Sequence, residues 1–479
     1  MGKRELKQKE TEPVAASISD LPNEVLLMIF DRLELACRLR VSQVCHRWNQ
    51  LVFHFFGDHF ALKLDDLVDP GLLSKDRVYR RVEIRCMSLL RFNMLHAKRL
   101  RVLGRHVVAL TLDISVTDGD LFVEMLRKFP NLESFSLWTE SFRSDKPARN
   151  ALRKVLPGRL PSVRHVTIYC NNAAVLDLMA RLAPNLRSLN VTVPAKLLSS
   201  LCQCDLAGLV SLRLSLVFRS KALLSEMASF RRNVFDTFMA SLKNLKKFSI
   251  FIRANSYPEI SPHIFALDSL EQLEVATTDS PRPVPAFDGI WSLRNLKVLR
   301  CFIERIAYPP EHAVNPLEHL TELNLAKAIV VDTFQLRRIF PNVTTLDIRS
   351  CQLSEPGLES LSLAWPRLES LTVRIAPVEI DSLVVLHRFV KLRQLTLLNN
   401  YISDREDLAV LDTVLAIGTL EELRVEGKWD GAPGGLNPTC RVYRNGEVVA
   451  REELPLGRHG FLELYTLKGD CDEDKIGCE

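Results

Sequence analysis

A short pattern of alternating apolar residues, apolar-x-x-apolar-x-apolar, recurs along most of this 479-residue chain. Such alternation predicts a strand with one buried face. A steady repeat length predicts units that stack and bury their apolar residues against their neighbours, and a parallel α/β fold without repeats would not keep this period. The fourteen copies begin at residues 79, 107, 132, 163, 186, 209, 245, 270, 296, 320, 343, 368, 392 and 420, with successive starts 23 to 36 residues apart.

Turn residues precede many of these copies, as in FPNL, APNL, LKNL and LRNL, where an asparagine stands just before the first apolar position. Asparagine favours turns because its side chain bonds to nearby backbone, and proline does so because its ring restricts φ. A repeated turn before a repeated strand is what a stacked unit needs. The longest interval, from residue 209 to residue 245, predicts an extended helical insertion.

The repeat resembles the leucine-rich repeat, whose apolar positions it matches over roughly residues 78–430. The resemblance implies an α/β solenoid in which parallel strands line a concave face and helices cover the convex side. The Asn or Cys that the family has after its last leucine is present only as Asn171, Cys351 and Asn400. This departure predicts about 14 irregular units with varying curvature.

The residue after the third apolar position of each copy is predicted to point out of the concave face, because side chains alternate along a strand. Parallel strands lie about 4.8 Å apart, so these residues form a column. Trp138 should neighbour Tyr169, and Arg349 should neighbour Arg374. In chain order the column reads Arg85, Asp113, Trp138, Tyr169, Thr192, Ser215, Phe251, Ala276, Phe302, Ala326, Arg349, Arg374, Leu398 and Glu426.

Two groups in this column are candidate substrate-binding residues, since exposed aromatic and arginine side chains dominate the energetics of protein interfaces. The pair Arg349 and Arg374 is predicted to bind acidic or phosphorylated groups. The alternative is that the aromatic rings fold over loops as local core and the arginines are solvated surface. The predicted apolar stripe consists of Trp138, Tyr169, Phe251 and Phe302.

The N-terminal segment has a different pattern, with LPNEVLLMIFDRL at residues 21–33 and VCHRW at residues 44–48. Three helices in about 40 residues cannot bury this much apolar surface alone. Either the solenoid or another protein must cover it. Helical spacing predicts one apolar face from Val25, Leu26, Ile29, Phe30 and Leu33, and a second apolar segment from Leu39 to Leu51.

This segment resembles the F-box, in a match that spans roughly residues 18–57. The resemblance implies binding to the Skp adaptor of an SCF (Skp–cullin–F-box) ubiquitin ligase. The first two matched residues would lie against the adaptor, and Ile29, Phe30 and Leu33 would insert apolar side chains. Val44 and Trp48 would close the module. The matched positions, which are the candidate adaptor-binding residues, are Leu21, Pro22, Glu24, Ile29, Phe30, Leu33, Leu39, Val44, Cys45 and Trp48.

Two residues depart from the F-box pattern, which often has Asp at the start of the second helix and Leu after it. This chain has Cys37 and Arg38 there. Cys is a poorer helix N-cap than Asp, at a cost of roughly 0.5–2 kcal/mol. Arg38 is expected to remove one adaptor contact. Both changes are expected to lower the affinity for the adaptor more than they alter the fold.

Composition limits the classes of partner. A net charge of +5 is too small to indicate nucleic-acid binding. No apolar run approaches the roughly 18 residues of a membrane span, and the charged N-terminus, MGKRELKQKETEP, lacks the apolar region of a secretory signal. The eleven cysteines have no zinc-like spacing and predict reduced thiols in a cytoplasmic or nuclear protein.

The sequence contains no HExxH, GxSxG, P-loop or GxGxxG motif. The two Glu-His pairs of EHAVNPLEH, at residues 311–319, lie in a predicted loop and do not predict a metal site. We therefore expect no catalytic residue, no metal and no cofactor. A further hypothesis, a small anion held in the mouth of the solenoid, requires the cations Arg213, Lys247 and Arg300 to converge.

The predicted organisation is a disordered segment at residues 1–17, the F-box at 18–58, the solenoid at 59–430, and a cap with an acidic tail at 431–479. In the cap, CRVYRNGEVVAREE predicts a hairpin with Asn445-Gly446 at its tip. These features predict a non-catalytic substrate receptor of an SCF ubiquitin ligase. It would be a monomer within a hetero-oligomeric complex, linking an unknown protein substrate through the adaptor and cullin to ubiquitination and proteasomal degradation. The alternative is an interaction scaffold whose F-box-like helices serve only as an N-terminal cap.

Overall fold

The structure is a computed structural model of the chain. The predicted disordered N-terminus, the acidic tail and the Asn445-Gly446 tip lie outside the described residues. Those residues are 18–65, 77–86, 92, 100–114, 119–139, 160–170, 173–194, 197–217, 232–253, 262–278, 290–302, 315–326, 333–349, 357–374, 377–398, 414, 417–426, 441–444 and 447–448.

Three short helices form the N-terminal module. Pro22 stands directly before the first helix with φ −56° and ψ 153°, a place that suits proline because its missing N–H has no partner to lose. The second apolar segment, from Leu39 to Leu51, spans parts of the second and third helices, with a turn at residues 42–44 between them. The helices are α1 (Asn23–Asp31), α2 (Leu35–Val41) and α3 (His46–Phe55), with 3₁₀ helices at Ile18–Asp20 and Gly57–His59.

The fourteen motif copies all form strands, each beginning two residues after the first apolar position of its copy. The pattern misses β1, because His59 occupies its first apolar position. The strands in the described residues are β1 (Ala61–Asp65), β2 (Arg81–Cys86), β3 (Ala109–Ile114), β4 (Ser134–Thr139), β5 (His165–Cys170), β6 (Ser188–Pro194), β7 (Ser211–Val217), β8 (Lys247–Arg253), β9 (Gln272–Thr278), β10 (Val298–Phe302), β11 (Glu322–Ala326), β12 (Thr345–Ile348), β13 (Ser370–Arg374), β14 (Gln394–Leu398), β15 (Glu422–Glu426), β16 (Arg441–Arg444) and β17 (Glu447–Val448).

Each strand pairs in parallel with the next one along the chain, from β1 to β16. Equivalent motif positions face each other, so the apolar residues of one unit pack on those of the next. The predicted solenoid with a parallel sheet is thereby confirmed. The sheet also continues past residue 430, where the cap was predicted to begin: β16 extends it and pairs antiparallel with β17, forming the predicted hairpin.

Helices and 3₁₀ helices connect the strands. Their mixture agrees with the irregular units that the sequence predicts, and α7 lies in the longest interval between copies. The connecting helices are α4 (Gly119–Leu126), α5 (Ala173–Leu182), α6 (Leu198–Cys202), α7 (Arg232–Ser241), α8 (Thr333–Ile339) and α9 (Gly357–Ala364), with 3₁₀ helices at Pro262–Ala266, Ile290–Ser292 and Pro377–Arg388.

At five of the described turns, an asparagine side chain ties the turn to that of the preceding repeat. Asn131 Nδ2 donates to the carbonyl of Arg105 at 2.7 Å, and Asn295 Nδ2 donates to that of Asp268 at 2.7 Å. These bonds satisfy turn carbonyls that would otherwise lack a partner. The same bond is made by Asn185, Asn244 and Asn342.

One continuous hydrophobic core runs from Leu26 in α1 to Leu423 in β15. The N-terminal module joins it through Phe53 of α3, whose ring centroid lies 5.3 Å from that of Phe60 and 5.2 Å from that of Tyr79. The chain passes directly from α3 through the short 3₁₀ helix into β1. The solenoid therefore covers the α3 side of the module and leaves α1 and α2 uncovered.

Candidate functional sites

An apolar face remains exposed on α1, α2 and the turns beside them. Seven of the fourteen exposed large hydrophobic side chains in the described residues lie between residues 18 and 44. A contiguous apolar patch rimmed by polar residues marks an interaction site. This outer face consists of Ile18, Val25, Met28, Ile29, Leu35, Leu39 and Val44, which are 37 to 71% exposed.

The ten residues predicted to bind the adaptor divide between the surface of the module and its core. Exposed are Pro22, Glu24, Ile29, Leu39, Val44 and Cys45. Half-buried are Leu21 and Leu33, and buried are Phe30 and Trp48. The first group is accessible to a partner, whereas the other four residues pack against the hydrophobic core.

Phe30 does not lie where the F-box resemblance would insert it into a partner. Its side chain is 1% exposed and packs edge-on against the ring of Trp48, with centroids 5.3 Å apart. The two rings form the centre of the module, because α1 and α3 cross there. Phe30 is therefore a core residue of this chain, and Ile29, its neighbour in sequence, points the other way.

Four residues of the outer face were not among the predicted ones: Ile18, Val25, Met28 and Leu35. Val25 was grouped with Leu26 and Phe30 on one face, but the structure turns it outward. A signal was present in the sequence. Val25, Met28 and Ile29 stand at i, i+3 and i+4, the spacing of a second helical stripe.

Arg38 points into the module rather than toward a partner, which corrects the expectation that it removes an adaptor contact. Its guanidinium donates to the carbonyl oxygens of Phe30 at 2.8 Å and Asp31 at 2.6 Å, at the C-terminus of α1. A third donor lies 3.1 Å from His59 Nδ1, and the group stacks 4.6 Å over the ring of Phe56. A cation at a helix C-terminus is favourable. Arg38 thus joins α1 to the first turn of the solenoid.

Cys37 does not cap a helix. The second helix begins two residues earlier, at Leu35, and Glu34 stands at its N-cap. The predicted cost of replacing an N-cap Asp by Cys therefore does not arise. Cys37 is a half-buried residue inside α2.

On the concave face, the predicted column of outward side chains is present in the register of the sheet. Trp138 pairs with Tyr169 across β4 and β5, and their rings stack with centroids 5.7 Å apart and 19° between planes. Trp138 is 49% exposed. The predicted adjacency of these two aromatic residues is confirmed.

The predicted apolar stripe is not continuous. Thr192 and Ser215 stand between Tyr169 and Phe251 in the column. The Arg213 guanidinium lies over the Phe251 ring, with its Cζ atom 4.4 Å from the ring centroid. Ala276, which follows, is buried. The side chain of Phe302 lies outside the described residues. Among the described side chains, Phe251 is therefore separate from the Trp138–Tyr169 stack.

Arg349 is not available to read an anion in the predicted way. Its guanidinium makes a bidentate contact with Asp347, in which Nε donates to Oδ1 at 3.1 Å and a terminal nitrogen donates to Oδ2 at 2.6 Å. The same carboxylate accepts from Asn324 at 3.1 Å. Arg374 is exposed. Of the two arginines predicted to bind an anion together, this leaves Arg374.

The three cations of the small-anion hypothesis do not converge. Arg300 lies on β10, where it donates to Glu322 at 2.8 Å. Arg213 and Lys247 lie on β7 and β8, and Glu274 of β9 stands between Arg213 and Arg300 in the middle column of the face. A carboxylate between two cations opposes a shared anion site. The hypothesis is wrong for this trio.

Sequence comparison agrees with the geometry of the N-terminal module. A family model described as F-box-like matches residues 18–56. Over 37 residues the chain is 54% identical to the mouse (Mus musculus) protein described as F-box/LRR-repeat protein 12. Residues 18–56 are therefore F-box-like, and they precede the solenoid of parallel strands described above. The stretch shared with the mouse protein covers 8% of this chain and 11% of that protein.

Comparison with solved structures finds partial structural similarity to chains of two complexes. One is the glycosylated form of the Toll–Spatzle complex of Drosophila, at 14% identity and a TM-score of 0.43, with 80% of this chain and 54% of that chain covered. The other is the Rad7 and Elc1 complex in yeast, at 14% identity and a TM-score of 0.35, with 88% and 92% covered. TM-scores this low do not support the transfer of any partner to this chain.

Arg38 is expected to stabilise the F-box through its contacts to α1. Replacing it with methionine should lower the free energy of unfolding by about 2 to 3 kcal/mol, because two carbonyl oxygens lose a charged donor. Urea denaturation followed by circular dichroism measures this. Arg40→Met, at an exposed position of the same helix, is the control and should change stability by less than about 0.5 kcal/mol. Equal losses in both variants would contradict the role assigned to Arg38.

A second prediction concerns Glu271, which accepts from Lys246 and Lys297 at 2.8 Å each. These two hydrogen bonds lower the pKa of its carboxyl group from 4.5 to about 2. The ion pairs therefore stabilise the fold above the ordinary pKa, and the effect is lost as pH falls toward 2. We expect Glu271→Gln to have a lower urea midpoint than wild type at pH 7 and a shrinking difference below about pH 4.5. A difference that does not change with pH would contradict this, and Glu421→Gln, at a looser pair with Arg393, is the control.

The described residues supply little reactive chemistry. Burial raises the pKa of the Cys202 thiol to about 12 and that of Cys204 to about 11, and it also raises the pKa of Cys301. These thiols are protonated at neutral pH and are poor nucleophiles. No group of three His, Cys, Asp or Glu side chains in the described part of the chain is arranged to hold a metal ion. Within the same residues, every helix is too short or too polar to cross a membrane.

Proposed function

We propose that this protein is the substrate-recognition subunit of an SCF-type ubiquitin ligase. Its F-box docks on a Skp-type adaptor, and the adaptor binds cullin. The leucine-rich repeats bind a protein substrate for ubiquitination and degradation. The observation that carries the proposal is the outer face, because seven apolar side chains on an F-box remain exposed after the solenoid has covered the other side. Exposure of this kind is costly unless a partner covers it.

The junction between the two parts supports the same role. Phe53, Phe60 and Tyr79 pack the F-box directly on the first repeats, and Arg80 pairs with Asp58 at 3.1 Å. A junction without a flexible linker holds the substrate at a set distance and orientation from the adaptor. Ubiquitin transfer by a conjugating enzyme would then benefit from proximity and orientation.

In this role the chain contributes binding rather than bond-making, so it requires no catalytic residue, metal or cofactor of its own. It is proposed to act as a monomer within a hetero-oligomeric complex, in the cytoplasm, the nucleus or both. Its ligand is a protein, and the proposal involves neither nucleic acid nor a membrane.

The alternative, an F-box that serves only as an N-terminal cap, has one observation in its favour, which is the core shared between α3 and the first repeats. A cap, however, gains stability by burying its apolar residues on the array. Met28 is 71% exposed and Val44 is 64% exposed. These side chains contribute nothing to a cap, so they favour a module with a partner.

Reconstitution tests the proposal. The full chain is co-expressed with a Skp-type adaptor, and the product is analysed by size-exclusion chromatography with light scattering. A one-to-one complex that also binds cullin is expected. A chain that elutes alone, at micromolar concentrations of both proteins, would favour the N-terminal cap and contradict the ligase role.

A further inference from the structure

The concave face changes character along the solenoid. In β4 to β8, the three columns of outward side chains contain no carboxylate, and nine of the fifteen residues are serine, threonine or asparagine. Arg213 and Lys247 are the two residues among them with full positive charge. We name this set the hydroxyl sector: Ser134, Ser136, Trp138, His165, Thr167, Tyr169, Ser188, Asn190, Thr192, Ser211, Arg213, Ser215, Lys247, Ser249 and Phe251.

The repeats that follow are different. On β9 to β12 the outward columns contain the carboxylates Glu274, Glu322 and Asp347, and the last two pair with cations. Arg300 contacts Glu322 at 2.7 Å, and Arg349 contacts Asp347 at 2.6 Å. Paired charges on a solvated surface contribute little to binding a further anion, because each cation is already neutralised. Between β4 and β12, the hydroxyl sector is therefore the part of the concave face where two cations lie without a carboxylate between them.

Arg213 is the centre of the sector. It is exposed, it pairs in register with Ser249, and its contact in the sector is the ring of Phe251, 4.4 Å away. Lys247 is exposed on the neighbouring strand, two residues from Ser249, at roughly 8 Å from Arg213 by strand geometry. A guanidinium held on an aromatic face keeps its donors directed outward. Serine and threonine hydroxyls beside it can donate to the same anion.

The aromatic stack of Trp138 and Tyr169 lies on the other side of the sector. Three strand spacings separate Tyr169 from Phe251 in the last column, which is roughly 14 Å. An extended peptide spans about 3.3 to 3.6 Å per residue, so about four residues bridge the two ends. Asp113 and Glu274 stand on the strands just outside the sector, at its two limits. Their carboxylates would repel the anionic side chain of a peptide that is bound beyond either limit of the sector.

We infer that the hydroxyl sector binds an extended segment of the substrate. An anionic side chain of that segment, a carboxylate or a phosphate, contacts Arg213 and Lys247. An apolar side chain about four residues away packs on the Trp138–Tyr169 stack. Charge complementarity and the exposed stack support this occupant. The inference rests on the proposed function, because it names the chemical class of the substrate that the repeats would present to the ligase.

The test uses the full chain, immobilised through an affinity tag, with and without bound adaptor. The probes are four pools of nonapeptides whose central residue is glutamate, phosphoserine, glutamine or lysine, and whose other positions are an equimolar mixture without cysteine. Retained peptides are quantified and sequenced by mass spectrometry. We expect the glutamate pool, the phosphoserine pool or both to be retained about tenfold more than the glutamine pool, with apolar residues enriched near the position four residues from the centre.

Two variants separate this sector from the rest of the face. Arg213→Glu should abolish the preference for anions, whereas Arg424→Glu, which changes an exposed arginine on the same face by the same charge, should retain it. Trp138→Ala should remove the enrichment of apolar residues and leave the preference for anions. If Arg213→Glu does not fold by circular dichroism, Lys247→Glu replaces it.

The outcomes distinguish a carboxylate ligand from a phosphate ligand, and they test whether the hydroxyl sector binds an anion. Retention of the glutamate pool identifies a carboxylate as sufficient, and retention of the phosphoserine pool alone identifies a phosphorylated substrate. Equal retention of all four pools, or loss of the preference in Arg424→Glu rather than Arg213→Glu, would overturn the inference. Because adaptor binding is measured on the same samples, its failure would count against the ligase role and not against the hydroxyl sector.

Discussion

Replacing Met28 with aspartate is expected to weaken binding of the Skp-type adaptor by about 100-fold, which is about 3 kcal/mol. Met28 is 71% exposed on α1 and stands one turn from Val25 and beside Ile29. In a complex that covers this face, the carboxylate would be buried among apolar groups without a counter-charge, and burial of an unpaired charge is costly. Isothermal titration calorimetry with purified adaptor measures the change.

The control for this prediction is Phe334→Asp. Phe334 is similarly exposed, at 67%, on the connecting helix α8, far along the chain from the F-box. This variant should bind the adaptor like wild type. Both variants should have unchanged far-ultraviolet circular dichroism, because neither side chain is part of the core. An adaptor affinity that is the same for Met28→Asp and wild type would show that the outer face is not the docking surface.

The second large effect is expected for Phe30→Ala, and it concerns stability rather than recognition. Phe30 is 1% exposed and packs on Trp48 at the centre of the F-box. Removing a buried phenylalanine ring costs about 3 to 5 kcal/mol, through lost transfer energy and the cavity that remains. The expected result is a large decrease in the urea concentration at which the F-box unfolds, followed by the fluorescence of its tryptophan.

Phe30→Leu separates this stability effect from a direct contact. Leucine keeps most of the apolar volume, so the F-box should remain folded with a smaller loss of stability. Its adaptor affinity should then stay within about threefold of wild type, since the side chain does not reach the surface. A loss of affinity as large as that of Met28→Asp, in a folded Phe30→Leu variant, would restore Phe30 as a contact residue.

Much of the solenoid was predictable because its pattern is local and repeated. Each motif copy contains the alternation that buries one face of a strand, and stacking then needs only the same register in every repeat. The adjacency of Trp138 and Tyr169 follows from that register alone. β1 was missed for an equally local reason, since His59 stands in its first apolar position and the pattern breaks there.

The roles of single polar side chains were not predictable in the same way. Arg349 was expected to bind an anion, but Asp347 on the same strand neutralises it. Arg38 was expected to weaken a partner contact, but it caps α1 and reaches His59. In each case the outcome depends on which carbonyl, carboxylate or ring lies within a few ångströms, and that is a result of packing.

The sequence by itself determined the architecture of this protein. The apolar period specifies a stacked parallel sheet, and the spacing of LPNE, IF and VCHRW specifies a helical module in front of it. The tertiary structure alone decided which side of that module is free. Val25, Leu26, Ile29 and Phe30 are all apolar and all on one short helix, so their pattern does not distinguish core from surface. The distinction arises because Leu26 and Phe30 pack into the core, where Phe30 meets Trp48 of α3, and Val25 and Ile29 are left facing outward.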